Sequence, residues 1–201
     1  MFGRSRADHT APGDAPWLVI GLGNPGAQYA ANRHNLGYLV VDVLARRTGG
    51  SFKAHKTQAD VLESRLSETR CVLAKPRVFM NNSGGPVAGL VKFFKVPLDR
   101  LVVVHDELDL EPDTMRVKLG GGDNGHNGLK SLRASLGSGE FYRVRLGVGR
   151  PPGRQDPADW VLRDVPASAR EDVGVQVERA ADAVELLVAQ GLVAAQNAFN
   201  S

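Results

Sequence analysis

A single cysteine, Cys71, stands in 201 residues, so no internal disulfide can form and the chain reads as built for a reducing compartment, the cytoplasm. No run approaches the roughly 18 consecutive apolar residues that a bilayer span needs, which excludes a membrane helix. The first sixteen residues, MFGRSRADHTAPGDAP, lack the apolar stretch of a secretory signal. They read as a polar, disordered tail, and residues 17–201 as one domain. There is no internal repeat, no internal linker and no Gly-x-Ser-x-Gly elbow to carry a serine nucleophile. A metal site is not expected either, because no cysteine cluster exists and His105 and Asp106, adjacent on a predicted strand, point to opposite faces.

What is present is enough apolar residue, 42%, to bury a core in one domain. The formal net charge is only +3, yet it is unevenly spread: residues 114–154 hold eight Lys/Arg against two acids, and residues 155–201 hold eight acids against three Arg. A basic segment of this kind is the electrostatic footprint of nucleic-acid contact, and equally that of an ordinary solvated surface.

Trp17–Leu22 is a short apolar run ending in Gly, Asn and Pro, a buried strand entering a turn. Leu36, Leu39, Val40, Val43 and Leu44 then follow helical spacing, with Asn35 a plausible N-cap, which puts His34 at the helix's N-terminal lip. Residues 61–66 and 71–75 flank a turn and predict an antiparallel hairpin, so the sheet is mixed. Pro86 opens and Pro97 closes a helix carrying Val87, Leu90, Val91 and Phe94. Leu101–Val104 is a buried strand that runs into His105, Asp106 and Glu107, at the strand end where open α/β sheets place their ligands. Period-2 alternation puts Arg116 with Lys118, and Arg143 with Arg145, on strand faces away from the core; glycines fill the gap between those strands. Ser168 and Glu171 form a capping-box pattern before a long helix ended by Gly191.

Gly21-Leu22-Gly23-Asn24-Pro25-Gly26 formally satisfies a dinucleotide-binding pattern, but Pro25 removes a phosphate-facing N–H and Asp42, the candidate ribose ligand, falls inside a helix. A dinucleotide-dependent oxidoreductase is therefore the weaker alternative. A histidine at a helix N-terminus feels the positive end of the dipole, which favours the neutral imidazole that a general base must be; it can equally be a capping or surface residue. Asp106 would fix its tautomer if the fold brought the two together. The Asn residues near glycine, Asn81, Asn82 and Asn127, suit turns and caps, and Asn82 is assigned no more than that; beside a polar pocket the amides of Asn81 and Asn127 can also orient water or donate to an oxyanion.

Four blocks in order, GLGNPGAQYAANRHNLG, KPRVFMNNSG, HDELDL and KLGGGDNGHNGLKS, resemble the signature blocks of the bacterial peptidyl-tRNA hydrolase family, and RVRLGVGRPPGRQDPADWVL strengthens the likeness. The resemblance covers residues 17–197. It implies a single α/β domain, a twisted mixed β-sheet flanked by helices on both faces, acting in the cytoplasm on peptidyl-tRNA without cofactor or metal. The lack of an obvious leftover apolar face points to a monomer. By the same resemblance His34 is the catalytic base and Asp106 its orienting partner. Asn24, Asn81 and Asn127 are substrate-positioning amides, Tyr29 and Met80 line the groove for peptide and terminal adenosine, and Lys118 with Arg145 clamps the tRNA 5′-phosphate. One block departs from the usual form: Gly122-Asp123-Asn124-Gly125 carries Asn124 where relatives have glycine. A tRNA-binding module without turnover is the other alternative, and the intact His34 and Asp106 argue against it.

Overall fold

A computed structural model describes residues 15–200; the tail expected over residues 1–16 falls outside these apart from Ala15 and Pro16. The strands are β1 (Trp17–Gly21), β2 (Lys53–His55), β3 (Ala59–Leu66), β4 (Thr69–Pro76), β5 (Leu101–Glu107), β6 (Met115–Leu119) and β7 (Tyr142–Gly147). The helices are α1 (Leu36–Arg47), α2 (Gly84–Phe94), α3 (Asn127–Leu136), α4 (Pro157–Val161), α5 (Arg170–Gln190) and α6 (Leu192–Phe199). One mixed sheet runs in the order β2-β3-β4-β1-β5-β7-β6. The pairs β1–β4, β1–β5 and β5–β7 are parallel, whereas β2, β3 and β6 join antiparallel. No helix among the described residues is long and apolar enough to cross a membrane.

Both sheet faces are covered, as expected of parallel strands reading Leu-Val-Ile and Leu-Val-Val-Val with no polar alternation. Val19, Val102, Val104, Val144 and Leu146 pack with the apolar stripes of α1 and α5. Leu18, Ile20, Leu101 and Val103 pack on the other face with Val87 and Leu90 of α2 and Leu129 and Leu132 of α3. The parallel strands place the ends of β1, β4, β5 and β7 at one edge, and the site lies there.

Several local expectations change. Helix α2 starts two residues before Pro86 and stops at Lys95, which is in the left-handed region. Ser168 makes no cap, for α5 starts at Arg170 with no side-chain cap bond. Asn35 does not cap α1; its amide is spent on the backbone of Asn24 instead. The glycine-rich gap contains a helix, α3. Arg143, expected outside the core, is 1% exposed. The reason is topological. Leu119 pairs with Tyr142 at the amino end of β7, whereas Asn124 and His126 reach Glu107 and Asp106 at the carboxyl end of β5. Residues 120–126 therefore cross back over the basic face of β6 and β7, and the Arg143 guanidinium donates to the carbonyls of Gly121, Gly122 and Gly139 beneath them.

The outer edge of β6 is closed by α6. The Val117 N–H donates to Asn200 Oδ1 at 2.6 Å, and its carbonyl accepts from Asn200 Nδ2 at 2.9 Å and Gln196 Nε2 at 3.1 Å.

Candidate active site

Two glycines bring the first site residue into place. A Cβ on Gly37 would meet the carbonyl oxygen of Val104, and one on Gly21 the carbonyl of Gly37. Without them the start of α1 could not lie directly on the ends of β1 and β5. The 3-10 turn Arg33–Asn35 before α1 then carries His34 to the last turn of β5. His34 Nδ1 lies 2.9 and 3.0 Å from the two oxygens of Asp106. His34 is 7% exposed, so it is an inner wall of the cleft and not a surface lip residue.

A third group completes the cluster. His126, not singled out in the sequence, places Nε2 3.0 Å from Asp106 Oδ1. Its Nδ1 accepts from the N–H groups of Gly128 and Leu129, capping α3. A ring nitrogen that accepts two amide hydrogens carries no proton, so the proton sits on Nε2 and is donated to Asp106. The carboxylate is then an acceptor only, and His34 must donate to it through Nδ1. This leaves the lone pair of His34 Nε2 unengaged by the described residues.

Electrostatics follow the same geometry. For His34, burial works to lower the pKa, but the charge of Asp106 and the hydrogen bond to it outweigh that, and the ring is raised above its ordinary value. The helix-end effect that favours a neutral ring is thus overridden by a carboxylate in direct contact. Burial works to raise Asp106, and the two histidines hold it instead far below the usual carboxylate range. His105 is the contrasting case: burial first, then the neighbouring His126, push it well below the imidazole range. Its Nδ1 donates to the Asp106 carbonyl at 2.6 Å, and it holds the strand end.

His34, Asp106 and His126 bring ligand-type atoms within 4.8 Å of one another. Their chemistry does not suit a cation. A neutral imidazole that binds metal through Nε2 carries its proton on Nδ1, and in His126 that proton would face the two α3 amides it caps.

Two cavities meet at His34. A small one, about 80 Å³, is lined by His34, Asp106, Glu107, Asn124, His126 and Asn127. A groove of about 420 Å³ is lined by Asn24, Tyr29, His34, Phe79, Met80 and Asn81, with Asn127 at its junction with the first. Asn24 is fixed there: its Oδ1 accepts from the Met80 N–H at 2.8 Å, so the Nδ2 donor is the end left for a ligand. Tyr29 stands edge-on to Phe79 at 6.1 Å, and more than half of Phe79 is exposed. Helix α4 supplies Ala158 and Val161 to both cavities. It is tied to the His34 turn by the Arg33 guanidinium over the Trp160 ring and by Asn32 donating to Asp164.

The structure thus brings Asn24, Tyr29, Met80, Asn81 and Asn127 around the His34–Asp106 pair. Lys118 and Arg145 line neither cavity; they sit on neighbouring strands β6 and β7, with Arg145 bonded to Glu107 in the wall of the small cavity. Missed from the sequence were His126, Phe79 and α4. The signal for His126 was available: Leu129, Leu132 and Leu136 at helical spacing make it the residue just before a helix.

The profile of the family described as peptidyl-tRNA hydrolase matches residues 18–201. A peptidyl-tRNA hydrolase of Frankia casuarinae is 57% identical, over 96% of this chain and 98% of its own. One of Streptomyces coelicolor is 56% identical, over 96% and 100%. The crystal structure of peptidyl-tRNA hydrolase from Acinetobacter baumannii superposes with a TM-score of 0.85 at 32% identity, over 92% of this chain and 94% of that one.

Proposed function

The chain belongs to the peptidyl-tRNA hydrolase family, and from that membership and the site we propose that it hydrolyses the ester joining a peptide to the 3′ end of tRNA, with His34 as general base. The observation that carries this mechanism is the contact of His34 Nδ1 with both oxygens of Asp106; against a carboxylate it commits the ring proton to Nδ1 and leaves Nε2 open. Nε2 takes a proton from a water molecule as that water attacks the ester carbonyl. The charge that develops on the carbonyl oxygen is met by amide donors, Asn24 Nδ2 first among them, with Asn81 and Asn127 at the same groove. The ester C–O bond then breaks, the 3′-oxygen takes the proton from His34, and free tRNA leaves with the peptide's new carboxyl group, which gives its own proton to solvent. No cofactor enters these steps. Asp106 stabilises the imidazolium formed midway and holds the ring in one tautomer.

On this reading Tyr29 and Met80 line the groove for peptide and terminal adenosine, and the enzyme works as a cytoplasmic monomer that returns tRNA from prematurely released peptides to translation. Purified protein should turn over peptidyl-tRNA with a chelator present. Turnover abolished by the chelator would overturn the metal-free mechanism, and tight binding without turnover would make the chain a tRNA-binding module.

Lys118 and Arg145 form the clamp on the tRNA 5′-phosphate in this proposal. Changing both to Ala should raise KM for full-length peptidyl-tRNA by about tenfold and flatten its dependence on salt, because fewer counterions are released. The value of kcat should change little, the phosphate being remote from the ester. A peptide ester on a short 3′ fragment never reaches the clamp, and its kcat/KM should be unaffected. Equal KM for both proteins on the full-length substrate at physiological salt would remove the clamp.

A further inference from the structure

Glu107 is the residue after Asp106, it is 4% exposed, and the hydrolytic steps above make no use of it. Its Oε2 accepts three donors: Arg145 Nε at 3.1 Å, Arg145 Nη2 at 2.9 Å and Asn124 Nδ2 at 3.3 Å. Its Oε1 accepts the backbone N–H of Asp109 at 3.2 Å. Both oxygens are therefore engaged. Arg145 is gripped along its Nε–Nη2 edge, and its Nη1 edge keeps donors with no acceptor among the described residues. Because the guanidinium is a rigid planar fork, fixing one edge fixes the direction of the other.

The charges around this acid do not balance. Lys118 and Arg143 face each other across β6 and β7, and Arg145 lies on the same face of β7. The Nη1 and Nη2 donors of Arg143 go to neutral glycine carbonyls and its Nε has no partner among the described residues, which leaves its charge in place. Lys118 is lowered by burial and then by the neighbouring Arg145 and Arg143. Arg143 also feels Arg133, Asp123 and Glu140, whereas Lys118 and Arg145 share only Glu107 as a counter-charge, so the side these two present is net positive and suits a terminal phosphate.

We infer that Glu107 is the positioning residue of the phosphate clamp, holding Arg145 so that its free edge, with Lys118, meets the tRNA 5′-phosphate. The inference rests on the clamp reading given above. Asn124 deepens it. This side chain adds the third donor to Oε2 and ties the glycine-rich segment over the small cavity to the same anchor.

The test compares kcat/KM for peptidyl-tRNA with a 5′-phosphate and with a 5′-hydroxyl, using the whole protein. The wild type should prefer the phosphate by about tenfold or more, as expected of charged hydrogen bonds. In Glu107→Gln no amide orientation can accept from Arg145 on one atom and from Asp109 on the other, since one of them becomes a donor. The preference should fall to within about threefold through KM, whatever happens to kcat, which both substrates share. If Glu107 only repelled phosphate, loss of its charge would increase the preference, and an increased or unchanged preference overturns the inference. A wild type indifferent to the phosphate would overturn the clamp itself, which is a different result. Should Glu107→Gln fail to fold, Asn124→Gly carries the test. That position is exposed with φ of 48°, which glycine adopts freely. Its preference should fall about two- to threefold, and an unchanged value again overturns the inference.

Discussion

Asp106→Asn is expected to lower kcat by about 10²–10⁴-fold with KM for peptidyl-tRNA nearly unchanged. The size follows from His126. Its Nδ1 is committed to the α3 amides, so its Nε2 hydrogen demands an acceptor at Oδ1. In the variant the amide must therefore put its oxygen toward His126 and its NH2 at the other position, 3.0 Å from His34 Nδ1 in the native site. An NH2 group donates, so His34 Nδ1 then faces one acceptor at 2.9 Å and one donor at 3.0 Å in place of two acceptors; the tautomer with hydrogen on Nε2, the atom that must be bare to accept a proton, gains population, and the charge that stabilises the imidazolium is gone. The carboxylate raises His34 above the ordinary imidazole value, and turnover needs the unprotonated ring, so the acid limb of the wild-type rate profile lies above that value. Removing the charge should move the limb to lower pH. Steady-state kinetics across pH check both points. A defect confined to KM would make Asp106 a substrate ligand.

His34→Ala should cost at least about a hundredfold in kcat, because no other described group at the junction of the two cavities offers an open basic nitrogen. His105 has an unpartnered Nε2, but it is wholly buried. The substitution also deprives a buried carboxylate of one of its two histidine donors, which should destabilise the fold by about 1–3 kcal/mol. Thermal unfolding will show this as a modest fall in Tm, while tRNA binding should persist. Near-wild-type turnover would remove His34 from the mechanism.

The sequence was readable wherever a pattern is local. The β3–β4 hairpin, the apolar run of β5 ending in acids and the stripe on α1 each announce themselves within ten residues; the pairing of His34 with Asp106 came only from the family resemblance, since no local pattern reports a contact across 72 residues. Features that depend on distant segments were not readable. Arg143 looked external because alternation reports only which face a side chain takes, not whether a later loop crosses that face. Asn35 has the chemistry of a cap, and tertiary approach of the Asn24 backbone took its amide instead. His126 stood among glycines and asparagines whose turn propensity hid both the helix after it and the carboxylate 20 residues earlier in the chain. The wall built by α4 comes from a Pro- and Asp-rich stretch with no apolar period at all, held by a cation over an indole ring.

The seal on β6 has a bearing on behaviour at high concentration. A sheet's last strand presents a row of bare amide and carbonyl groups, and any other extended chain can satisfy them. Asn200 carries on its side chain the same donor and acceptor pair as a peptide bond, and it lies against Val117 as a surrogate strand one residue long. Gln196 adds a second amide to the same carbonyl. The middle of the border beside the basic strands is thereby occupied, which hinders the pairing of another extended chain there and the aggregation that such pairing seeds.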